Sequence, residues 1–250
     1  MKSRKFHIFI FFLATLCTLT TQAWAAEKEA QEGPWSGSVS IGYLAIGGNT
    51  ESTNFTGSVD VNWDGERWHH SVLGRALGKS EEKKTTAEAY KIGYQGKFDL
   101  SSRTYLFGLV DYNKDRFSSY DRQIFETLGI GQRILKKDKH ELNGEISAGV
   151  SQQKLVLADP PGGTDDINEA VFRISADYTW TISENSTFSQ ILNASSGSSN
   201  IYTESITEFS AGIIGSVSMV LGYTVRNNSD VEPGKDKTDT FASISLEYAF

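Results

Sequence analysis

Cysteine is nearly missing from this chain: Cys17 is the one such residue among 250. It sits so near the N-terminus that disulfides are not expected to hold the mature fold together. Past that terminus no apolar run approaches the roughly 18 residues that a membrane helix needs. A bilayer-crossing form of this chain is then a closed barrel, because only helices and barrels satisfy every backbone group in hydrocarbon. Basic charge is also short. Lys and Arg number 24 against 31 Asp and Glu, a formal charge of −7. That excludes a nucleic-acid partner, whose phosphates demand clustered cations.

What is present begins with an export signal. Met1 to Lys5 is basic, Phe6 to Leu19 is apolar, and Ala23-Trp24-Ala25 is a small-x-small site. Residues 1–25 are expected to be a signal peptide cleaved after Ala25, with Ala23 and Ala25 defining the site. Cys17 leaves with it, and the bulky Leu16 before it makes a poor lipoprotein site. Residues 26–34 form a short polar lead, and residues 35–250 read as one domain.

From Trp35 onward the pattern has a period of two. Trp35, Gly37, Val39, Ile41 and Tyr43 alternate with Ser36, Ser38, Ser40 and Gly42. Phe55, Val59, Val61 and Trp63 oppose Thr56, Ser58, Asp60 and Asn62. Farther on, Phe172, Ile174, Ala176, Tyr178 and Trp180 oppose Val171, Arg173, Ser175 and Asp177. Successive side chains of a strand take opposite faces, so each apolar set lies on one side. The expected fold is all-β: a closed antiparallel transmembrane β-barrel of about twelve strands. Tight connections such as Asp64 to Arg67 and Ile182 to Asn185 alternate with longer polar ones such as Gly78 to Thr85 and Leu155 to Asn168. Short turns belong on the periplasmic side and long loops outside, which leaves both termini periplasmic. In Arg103 to Asp115 either face could be outward. The one bearing Leu106, Val110 and Tyr112 is preferred, since it puts Asp111 inside. Glu204 to Gly215 is ambiguous.

A soluble periplasmic β-sandwich that binds a ligand would alternate similarly. Charge placement favours the membrane. The polar face carries Asp60, Arg75, Lys91, Lys97, Glu145, Arg173, Asp177 and Glu247 at mid-strand, with both signs present, while the opposite face carries almost none. These are the candidate lumen charges. Arg173 and Asp177, close on one strand face, are expected to pair, because unpaired buried charge is costly. Trp63, Trp68, Phe98, Tyr178 and Trp180 lie near tight turns, where a periplasmic aromatic girdle belongs.

The last strand runs Thr238 to Phe250. Ile244, Leu246, Tyr248 and the terminal Phe250 occupy every second position. This pattern resembles the C-terminal signal read by the outer-membrane barrel assembly machinery, an expected partner during biogenesis. Pairing of this strand with the first would close the barrel and remove both edges.

The whole mature chain also resembles the uncharacterised family of salt-induced outer membrane proteins (YdiY-like; family 481 of the domains of unknown function). The resemblance rests on Trp35-Ser36-Gly37, Gly47-Gly48-Asn49-Thr50, Tyr112-Asn113-Lys114-Asp115-Arg116-Phe117, and Asp239-Thr240 leading into Leu246-Glu247-Tyr248-Ala249-Phe250. It implies an outer-membrane barrel in a Gram-negative bacterium and a link to salt stress. It supplies no reaction, ligand or site residue.

Chemical motifs are sparse. His69, His70 and His140 follow tight turns and are expected at the periplasmic rim, away from the outer side where barrel lipases and proteases keep their catalytic groups. Asp159, Asp165 and Asp166 lie in a Pro-Gly loop without the spacing of a dedicated calcium loop. Gly129-Ile130-Gly131 lacks the third glycine and helix of a phosphate cradle. No catalytic residue, cofactor or metal is therefore expected. The chain reads as a non-enzymatic outer-membrane barrel, a narrow channel or stress component, in contact with outer-membrane lipid and lipopolysaccharide. An outer-membrane enzyme acting on lipid or peptide is the alternative.

Overall fold

The computed structural model describes residues 33–46, 52–82, 84–116, 118–156, 164–231 and 233–250. The expected cleavage site at Ala23 and Ala25, the first loop at Gly47 to Thr50, and Asp159 lie outside the described residues.

Twelve antiparallel strands make up the described fold: β1 (Trp35–Ile46), β2 (Ser52–Asp64), β3 (Trp68–Glu81), β4 (Lys84–Asp99), β5 (Thr104–Asp115), β6 (Tyr120–Lys137), β7 (His140–Val156), β8 (Thr164–Ser183), β9 (Ser186–Ser196), β10 (Ile201–Ile214), β11 (Val217–Asn228) and β12 (Thr238–Ala249). Each pairs with its sequence neighbours, and β1 pairs with β12, so the sheet closes into a barrel. Closure removes the β-sandwich alternative. The β1–β12 register is the shortest of the seams, running from Ser38 opposite Ala249 to Gly42 opposite Ser245. Below it Gly37 N donates to Phe250 O and Phe250 N donates to Gly37 O, both at 2.9 Å. Phe250 thus ends the chain inside the closing ladder.

The alternation sorts side chains as a membrane barrel requires. On β5, Tyr105 and Phe107 are 1% and 4% exposed, whereas Leu106 and Val110 are 46% and 44% exposed. Asp111 is accordingly interior. On β10, Tyr202, Glu204 and Ile206 are buried inside and Phe209 faces out, which resolves the ambiguous stretch. Val39, Ile41, Val59, Ile146, Ile174, Leu221, Ile244 and Leu246 are all exposed on the outer face. An exposed apolar belt around a charged interior is stable only in lipid. The chain is an outer-membrane β-barrel.

An aromatic girdle marks the end where β1 begins and β12 finishes. Trp68 packs on Phe98 at 4.9 Å and stacks on His70 at 5.9 Å, and Trp63 approaches His70 at 5.5 Å. Around the wall His140 stacks on Trp180 at 5.8 Å and on Tyr178 at 6.2 Å. Rings with one wet edge favour this boundary.

The opposite end departs from expectation. Gly78 to Thr85 is not a loop: β3 and β4 continue to Glu81 and from Lys84, with Glu82 in the left-handed region at φ 47°. β6, β7 and β8 reach 18, 17 and 20 residues. Polar residues do not stop a hairpin once it leaves the bilayer, because water tolerates both of its faces. On β8 the outward positions turn polar at Asp166 and Asn168, so the strand outruns the apolar belt there.

Candidate functional site

The lumen collects the charges. Strands on opposite sides of the barrel aim long side chains at its axis, and the resulting bridges cross the interior. Lys91 Nζ on β4 donates to Glu204 Oε2 on β10 at 2.9 Å and lies 3.9 Å from Asp111 Oδ2 on β5. Arg226 Nε on β11 donates to the other Glu204 oxygen at 3.0 Å, and Tyr202 Oη donates to it at 3.3 Å. Glu204 is 1% exposed at its side chain. Such a carboxylate is tolerable only because each oxygen meets a cation. Arg75 of β3 reaches Glu208 of β10 at 3.8 Å.

A second cluster lies between β4, β5, β7 and β8. Glu145 takes hydrogen bonds from Tyr105 Oη at 2.8 Å, Gln95 Nε2 at 3.0 Å and Ser175 Oγ at 3.3 Å, with Lys97 Nζ 3.2 Å away. Lys97 also sits 4.9 Å from the Tyr105 ring centre. Gly131, opposite Tyr105 on β6, has no side chain where that ring lies, and a Cβ there would overlap it.

Arg173 does not pair with Asp177. Its Nη1 donates to Asp111 Oδ2 at 3.0 Å and its Nη2 to Asn193 Oδ1 at 3.0 Å. The reason is geometric. Four residues along a strand are about 13 Å, whereas the axis of a closed barrel brings other strands nearer. Asp177 stays exposed inside the lumen beside a small cavity.

Two interior cavities flank this partition. One, about 180 Å³, is bordered by Arg75, Lys91, Lys97, Asp111, Glu145, Arg173 and Asp177. The other, about 100 Å³, is bordered by Asp60, Arg75, Glu208 and Glu247 within a wall of Ser40, Thr56, Ser58, Ser243 and Ser245. Glu247 accepts from Ser38 Oγ at 3.1 Å. The eight charges singled out from sequence therefore all project inward. Glu204, Glu208 and Arg226 were missed. Glu204 and Glu208 lie in the stretch whose parity was undecided, although the alternation of Tyr223 and Val225 with Thr224 and Arg226 on the next strand could have settled it.

Above the partition the mouth away from the girdle is packed. Phe125, Val171 and Tyr202 form a buried apolar layer. Over it Glu169 on β8 accepts from Ser198 N at 2.7 Å, Ser198 Oγ at 2.6 Å, Ser199 N and Oγ at 2.8 Å, and Gln153 Nε2 at 3.0 Å. These bonds fasten the connection between β9 and β10 to β8. Asn200 secures its far end, donating to Asn228 Oδ1 at 2.7 Å.

The histidines are engaged elsewhere. His69 lies between Asp64 and Asp99, at 2.8 and 3.2 Å; His70 meets Tyr94 Oη at 2.8 Å, and His140 meets Tyr178 Oη at 2.9 Å. They occupy the rim that carries the girdle. Among the described residues no group of three or more metal-ligating side chains is present.

Comparison with known proteins places the chain. It is 28% identical over 217 residues to an uncharacterised protein, YdiY, of Escherichia coli (strain K12), covering 86% of this chain and 83% of that protein. Among solved structures it is similar to the NanC porin, at a TM-score of 0.49 and 13% identity over 85% of this chain and 97% of the porin. It is similar also to an outer membrane channel from Pseudomonas putida F1, at a TM-score of 0.49 and 9% identity over 89% of this chain and 99% of that one. A family model matches residues 39–250, nearly the whole barrel. The chain belongs to the family described as protein of unknown function, DUF481.

Proposed function

We propose that this barrel is a narrow, non-enzymatic channel for small hydrophilic solutes, held nearly shut at rest by side-chain bridges. The observation that carries the reading is the nature of the partition. Lys91–Glu204 and Arg75–Glu208 span the lumen as side chains, with polar cavities of about 180 and 100 Å³ beside them. At about 30 Å³ per water those spaces hold about six and three molecules. Side-chain rotamers rearrange far faster than backbone, so bridges of this kind open without unfolding the wall. The solutes that fit are ions and molecules of a few heavy atoms. The three histidines support the non-enzymatic reading, since their partners are carboxylates and tyrosines rather than an activated serine or threonine.

Planar-bilayer recording of the purified barrel tests this. Small, discrete conductance steps are expected, larger after Glu204→Gln. Silence from both proteins, each verified as folded by heat-dependent migration, would remove the channel reading.

A further inference from the structure

We propose that the outer wall formed by β5, β6 and β7 is a binding site for a phosphorylated, acylated glycolipid of the outer leaflet. Register creates it. Lys114 on β5 stands opposite Arg122 on β6, and Arg122 stands opposite Lys154 on β7. All three point outward, because their neighbours Gln123 and Gln153 are buried and hydrogen-bonded to each other inside. Three cations thus form one row across three strands, at the end away from the aromatic girdle.

Like charges directly opposite on paired strands repel, so this row needs an anion. The protein supplies part of it: Lys114 reaches Asp121 at 3.6 Å, and the outward Asp166 on β8 stands opposite Lys154 without closing an ion pair. Among the described residues Arg122 and Lys154 make no ion pair, and Arg122 Nε is buried with no hydrogen-bond partner. Arg122 is thus a guanidinium flanked by two ammonium groups. Phosphate oxygens match that set, and Arg can take them in a planar, bidentate fashion.

The surface beneath the row suits the rest of such a molecule. Two outward positions lower, Val110, Glu126 and Val150 are in register, about 13 Å along the strands. There the wall sinks into a groove of about 1270 Å³, lined by Leu106, Gly108, Leu128 and Ala148. Gly108 and Ala148 leave the space that acyl chains would fill. Between row and groove Tyr112, Ile124 and Gln152 are in register, and Glu126 lines the upper edge of the groove; the phenol, amide and carboxylate suit sugar hydroxyls rather than chains. Charge above, hydroxyl partners between and an apolar groove below follow the order of a phosphorylated glycolipid's own parts. A basic cluster above a membrane-facing groove is the general form of lipid head-group recognition.

The test uses the folded mature barrel in detergent, with bound lipid read by native mass spectrometry. The probes are bisphosphorylated lipid A, monophosphorylated lipid A and inorganic phosphate. Binding is expected to rank in that order, with inorganic phosphate a poor competitor. Arg122→Gln with Lys154→Gln should weaken the bisphosphorylated lipid by about tenfold or more. Lys136→Gln with Lys139→Gln, the same charge change at the opposite rim, should leave binding unchanged. Equal binding by the Arg122/Lys154 variant and the unaltered protein overturns the site. Equal loss in both variants also overturns it, showing bulk charge alone. If the Arg122/Lys154 variant does not fold, the unaltered protein still decides: indifference to the number of lipid phosphates, or displacement by inorganic phosphate, refutes the proposal.

Discussion

Replacing Glu204 by Gln tests the lumen most directly. The change keeps side-chain volume and removes one charge. It leaves Lys91 with Asp111 at 3.9 Å as its nearest carboxylate and deprives Arg226 of a charged partner at 3.0 Å. Breaking a buried pair costs about 3–5 kcal/mol, against about 0–1 kcal/mol for an exposed one. Glu204 is 1% exposed and Lys91 7% exposed at the side chain, so the buried figure applies. The assay is urea unfolding of the barrel in detergent, followed by tryptophan fluorescence. With a slope of about 3 kcal/mol/M the midpoint should fall by about 1–1.7 M. Lys91→Met with Glu204→Gln removes both ends of the cross-lumen bridge. Its loss should be smaller than the sum of the two single losses, because neither mate then remains buried without the other. A fall below about 1 kcal/mol for Glu204→Gln, or strict additivity in the cycle, would mean that the interior is wetter than its geometry implies.

Deleting Phe250 removes both hydrogen bonds with Gly37 from the shortest seam; the expected result is a clear loss of heat-modifiable, assembled barrel, measured in membranes by gel migration, with normal assembly counting against a role in closure. Glu169→Gln weakens the acceptor shared by Ser198 and Ser199. Amide exchange at those two residues should quicken by about tenfold or more, at about 1–3 kcal/mol for charge-assisted bonds; unchanged exchange would show that Asn200 alone holds the connection. Gly131→Ala places a Cβ against the Tyr105 ring. Overpacking of this kind costs about 1–3 kcal/mol, which urea unfolding would register together with a changed near-ultraviolet signal from Tyr105.

The limits of a sequence reading show at particular residues. Leu106 and Asp111 on one short strand were assigned to opposite sides correctly, because a charge and an apolar group two layers apart report lipid and water directly. Arg173 was placed inside correctly but given the wrong mate. Its mate is 62 residues away on β5, and only closure of the sheet brings the two together. The extent of β3 and β4 past Gly78 was missed for a different reason. Above the bilayer both faces of a hairpin meet water, so the alternation that marks a strand disappears while the backbone pairing continues.

The sequence by itself determined the strand number, the inward or outward sense of nearly every segment and the strand that closes the barrel. All of these follow from a two-residue period written locally against lipid and water. The tertiary structure alone decided that Lys91 meets Glu204 across 113 residues, that two cavities remain beside that bridge, and that Lys114, Arg122 and Lys154 align in one row. These depend on register and closure. A shift of one residue at any seam would rotate every later partner out of reach.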